Sequence, residues 1–206
     1  MVALAGKYSS QAAPQLTTRG WATHLYPRPR ASRQAGYNTS MTLGRLSPIY
    51  FRNFIFGVED SLVSTVGLLT GVAIAGVPEA TIVLTGMVLV LVEAFSMAAG
   101  SFLAESSAQE YVQGTQAPGA HPAVAGVVMF FSYFAAGFVP LAPYLWYPAG
   151  AALQLSVMYS LAALFLLGAL SGALSRTKIF KTAFRMVVIG GIAIAAGVGA
   201  GLYLPA

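Results

Sequence analysis

The sequence predicts an all-α, polytopic membrane protein with five transmembrane helices. Three observations carry that expectation. The chain is 57% hydrophobic and only 8% charged, too little charge to cover the surface of a soluble domain. From Asn53 onward it divides into five apolar segments, each close to the ~20 residues that cross a bilayer as a helix. Its charges also fall in blocks: seven of eleven basic residues precede position 53, the other four lie between Arg176 and Arg185, and all six acidic residues lie between Glu59 and Glu110. Membrane topology sorts charge in this way, so the net charge of +5 is no sign of nucleic-acid binding. With no cysteine, thiolate metal sites, iron–sulfur clusters and disulfides are excluded.

Residues 1–45 are rich in Ser, Thr, Pro, Gln and Arg and contain no acidic residue. They predict a disordered basic tail. Two other readings stand beside it: an organelle-targeting segment, or an upstream extension with Met41 as the true start. Residues 46–206 form the predicted transmembrane domain. Its first helix is expected at about residues 54–75 and is followed by the turn Gly76-Val-Pro-Glu79. The second is expected at about 81–104, with an amphipathic continuation to about 111. A linker from Gln113 to Pro122 precedes the third helix (about 123–146). The fourth is expected at about 151–174. A basic loop, Ser175 to Phe184, leads to the fifth, at about 185–204.

The positive-inside rule orients these spans. Arg45 and Arg52 before the first helix, and the cluster Arg176, Lys178, Lys181 and Arg185 before the fifth, fall on one side. The turns at 76–80 and 147–150 hold no Lys or Arg. The N-terminus is therefore expected in the cytoplasm and the C-terminus outside or in a lumen. The host is the plasma membrane if the source is prokaryotic, and a vacuolar or other organelle membrane if it is eukaryotic.

The first two helices carry chemistry. Glu59 and Asp60 lie in the first and Glu93 in the second, and a carboxylate at membrane depth normally faces a bundle interior or a wet cavity. Counting along both helices from the short turn that joins them, at equal rise per residue, Asp60 should sit level with residue 95 or 96. Glu93 and Met97 bracket that level on one helix face. Asp60, Glu93 and Met97 are thus predicted to converge as a metal site, with Glu59, Ser64 and Ser96 as candidate lining residues. Glu105 and Glu110 continue towards the cytoplasmic mouth. Carboxylates with a thioether, without thiolate or a His cluster, suit Fe²⁺ or Mn²⁺ over Mg²⁺ and Ca²⁺, and the carboxylates can exchange the metal for protons. His24 in the tail and His121 in the linker do not look like ligands. Gly67-Leu-Leu-Thr-Gly71 and Gly168-Ala-Leu-Ser-Gly172 allow close helix packing.

Several stretches resemble a known family. Residues 52–71, containing Gly57-Val-Glu-Asp60-Ser-Leu-Val-Ser64, are similar to the first-helix signature of the vacuolar iron transporter (CCC1-like) family. Glu93-Ala-Phe-Ser-Met97-Ala-Ala-Gly100 resembles its second-helix signature. Phe138-Val-Pro140-Leu-Ala-Pro143 resembles a proline pair at the outer end of its third helix, and Leu166-Leu-Gly168 and Arg185-Met-Val-Val-Ile-Gly-Gly191 resemble helices four and five. The resemblance covers roughly residues 45–204. It implies a five-helix homodimer that exports Fe²⁺, and often Mn²⁺, from the cytoplasm in exchange for protons, with Asp60 and Met97 as metal contacts.

The sequence departs from that pattern where Ser61 replaces the usual Gly and where the link between helices two and three is only about ten residues. That link holds no carboxylate, so the Glu- and Met-rich cytoplasmic metal-binding domain of better-known members has no counterpart. The resulting expectation is a divalent-metal transporter and not an enzyme, with no resident cofactor and with lipid, metal, protons and a second copy as partners. A membrane metal-binding or scaffold protein that moves nothing, and a transporter of an organic cation or amino acid, remain as alternatives.

Overall fold

In a computed structural model, the described residues, 48–113 and 120–203, form five long helices and no strand. They are α1 (Pro48–Ile74), α2 (Glu79–Gln113), α3 (Ala120–Leu141), α4 (Ala149–Leu174) and α5 (Ile179–Tyr203). All five are long and apolar enough to cross a membrane. A single 3₁₀ turn, Ala142–Leu145, extends α3. The readings made of residues 1–45 lie outside the described residues.

Two helices begin well before the apolar runs that predicted them. α1 starts at Pro48, a residue whose fixed φ and missing N–H suit a first turn. α5 starts at Ile179, so half of the expected basic loop is helix. Hydropathy stops at a charge, but a helix does not, because Lys and Arg carry long apolar stems that reach the interface. His121, assigned to a linker from sequence, is in the first turn of α3, where its Nδ1 meets the Tyr50 hydroxyl at 3.1 Å.

The short connections are closed by backbone hydrogen bonds. Gly76, at φ 81°, takes the left-handed position after α1, and its N–H donates to the Ala73 carbonyl at 3.2 Å. Arg176 does the same after α4 at φ 52°: its N–H donates to Ala173 and the Thr177 N–H donates to Gly172. Both ends follow the usual left-handed helix stop. Glu79, in the first turn of α2, accepts the Ala149 N–H at 2.9 Å and so caps α4.

α1 is the central helix, packed against α3, α5, α4 and, over a smaller area, α2. The two glycine stripes find their partner within the chain. A Cβ on Gly71 would stand 2.8 Å from the Gly197 carbonyl, and a Cβ on Gly197 or Gly201 would run into the Gly67 or Gly71 carbonyl. Gly168 and Gly172 seat against the Ala183 and Ile179 backbone in the same way. α5 is therefore clamped between α1 and α4 by near backbone-to-backbone contact, the small-residue mode of membrane helix packing. α2 lies mainly along α3 rather than α1, stitched by Phe95 on Phe130 at 5.0 Å between ring centroids. Its other side exposes Leu84, Val88 and Leu91, an apolar face as expected for lipid or a second helix.

Candidate metal site

The depth of each carboxylate follows from helix length. α1 ends at Ile74 and α2 begins at Glu79. Asp60 and Glu93 are therefore each about four helical turns, or ~21 Å, from the connection between the two helices, which places both at mid-span. The two carboxylates are near enough for the charge of Glu93 to act on Asp60. Asp60 is half-buried, and Glu93 likewise.

A residue that the sequence did not single out organises this level. Tyr133 lies in the middle of α3 and is wholly buried, at 0% exposure. Its hydroxyl donates to Glu93 Oε2 and lies 2.7 Å from the Ser64 hydroxyl. A phenol has one proton, so with that proton directed at Glu93 the Ser64 hydroxyl is the donor to Tyr133. A directed chain runs Ser64, Tyr133, Glu93, joining α1, α3 and α2. Ser61, also wholly buried, donates to the Tyr133 carbonyl at 2.6 Å. A Cβ on Gly137 would meet Val90 at 2.5 Å and the Ser61 hydroxyl at 3.0 Å. The three helices therefore close around Tyr133, and Ser61 has a structural task that a glycine could not perform.

Of the other sequence candidates, Ser64 joins the site through Tyr133. Met97 is half-buried one turn beyond Glu93 on α2, while Ser96 is exposed. Glu59 faces the charge of Arg185 on α5 as well as its neighbour Asp60. Glu105 is about seven turns from the start of α2, level with the far end of α1. The Gln109 amide donates to it there at 2.9 Å. Glu110 lies still nearer the end of α2. Among the described residues, no three His, Cys, Asp or Glu side chains converge on one point. One chain thus brings two carboxylates together. A cavity of about 580 Å³ between α1, α3 and α4 is lined by Phe54, Val58, Leu62, Phe131 and other apolar side chains and has no part in this chemistry.

Five apolar helices enclosing paired carboxylates at mid-depth define an integral membrane protein, and the comparisons place it among metal transporters. The VIT family model matches residues 51–118 and 113–202, two pieces that meet at the α2–α3 link, and the chain belongs to that family. It is also similar to vacuolar iron transporter 2 of Oryza sativa subsp. japonica, at 27% identity over 208 residues that cover 72% of this chain and 85% of the relative.

Proposed function

We propose that the protein carries Fe²⁺ or Mn²⁺ out of the cytoplasm in exchange for protons, through a site built on Asp60, Glu93 and Met97. The observation that supports this most is the pairing of Asp60 and Glu93 at one depth, where two negative charges stay together only with a cation or protons to offset them. Metal would replace protons on the cytoplasmic side, and protons from the far side would release it. Tyr133 acts as a positioning residue, holding Glu93 towards the site. Met97 adds the soft donor that favours iron over Mg²⁺. Glu105 and Glu110 would draw cations to the cytoplasmic end.

The orientation rests on the basic clusters flanking α1 and α5, with the N-terminus in the cytoplasm and the C-terminus in a lumen or outside. The relative's name favours a vacuolar or similar organelle membrane. Two carboxylates and a thioether leave a divalent ion short of donors, and a second copy across the exposed face of α2 would double the set. The working form is accordingly a homodimer.

The test is Fe²⁺ flux into proteoliposomes with and without an imposed pH gradient, for the natural protein and Asp60→Ala. Gradient-dependent flux that the variant loses is expected. Undiminished flux through Asp60→Ala would overturn the site. No flux of either metal in folded protein would favour a binding protein, or a carrier of organic cations or amino acids.

A further inference from the structure

The turn between α4 and α5 forms a second polar site, distinct from the Asp60–Glu93 pair. A cleft of about 450 Å³ opens there, lined by Ser175, Thr177, Lys178, Lys181, Thr182 and Arg185, with no acidic side chain in its wall. Because α5 starts at Ile179, Lys181, Thr182 and Arg185 lie on one stripe of an ordered helix, and Lys178 sits immediately before it. The sharp stop of α4 at Arg176 and the close seat of Gly172 on Ile179 hold the two walls together.

We propose that this cleft binds the phosphate group of an anionic membrane lipid. Three cations, Lys178, Lys181 and Arg185, facing one opening match the charge and acceptor oxygens of a phosphodiester. Phosphate chemistry alone would also admit a soluble anion, but two features select lipid. The cleft lies where two spans end, at headgroup level, where basic pockets between helices take anionic lipid headgroups. On the adjoining face of the same turn, Phe180 is 80% and Phe184 67% exposed, apolar surface suited to acyl chains. The inference does not depend on the transport reading.

The test is native mass spectrometry of the full chain purified in detergent and titrated with phosphatidylglycerol, phosphatidylcholine or inorganic phosphate. Phosphatidylglycerol should be retained in preference to phosphatidylcholine. Lys178→Ala/Lys181→Ala should weaken that retention about 25-fold, at about fivefold per lysine, while Lys178→Arg/Lys181→Arg should keep most of it. Equal retention of phosphatidylcholine, or retention unchanged in the alanine pair, would overturn the site. Displacement of phosphatidylglycerol by equimolar inorganic phosphate would overturn lipid as its ligand.

Discussion

Adding one methyl group to α5 at position 197 or at position 199 should have opposite consequences. At Gly199 a new Cβ has nothing within 4 Å, whereas at Gly197 it runs into the Gly67 carbonyl of α1. The obstacle is backbone, so no side chain can rotate away and the helices themselves must part. A looser contact in the same seam sets a lower bound: a Cβ on Gly71 would lie 2.8 Å from the Gly197 oxygen, and ordinary contact begins at 3.4 Å, so the helices must open by more than 3.4 − 2.8 = 0.6 Å. Overpacking of this kind costs about 1–3 kcal/mol. Gly199→Ala should instead be neutral, or should gain up to about 1 kcal/mol from helix propensity. Thermal unfolding of the two variants in one detergent, followed by loss of the monodisperse chromatographic peak, measures the difference. Gly197→Ala should unfold at the lower temperature and should also slow transport, because α1 carries Asp60. If the two variants unfold together, the close approach of α1 and α5 is wrong, and with it the placement of the central helix.

Tyr133→Phe keeps the buried ring and removes the hydroxyl between Ser64 and Glu93. It should cost about 1 kcal/mol of stability, as membrane hydrogen bonds do, yet lower metal flux far more than that loss explains. Met97→Leu preserves volume while deleting the thioether, and should shift competition in a flux assay towards harder ions, with Mn²⁺ gaining on Fe²⁺.

What could be read from the residues alone was set by periodicity and count. The five spans were legible because apolar runs of bilayer length fit little besides a membrane helix. The common level of Asp60 and Glu93 was legible because one short turn fixes the register of two helices. Helix starts were not, since Pro48 and Ile179 stand close to charged residues (Arg45 and Arg52, Lys178 and Lys181) that break the apolar run without breaking the helix. The stripe at Gly67 and Gly71 announced a close partner without naming α5; only a matching stripe, Ala193-x-x-x-Gly197-x-x-x-Gly201, could have pointed there. Tyr133 was hidden for a different reason: within Phe130-Phe-Ser-Tyr-Phe134 one phenol among aromatics looks like packing. A hydroxyl at the middle of a span, level with two carboxylates, was the available signal.

The unequal anchoring of α1 and α2 bears on how a carrier built this way can move. Asp60 rides on a helix whose backbone touches that of α5 and which Ser61 fastens to α3. Glu93 rides on a helix that meets α3 and little of α1, held at the site through a single phenol. One carboxylate is fixed to the frame and the other to an outrigger. Any movement of α2 that carries Glu93 away from α3 would break the Tyr133 hydrogen bond.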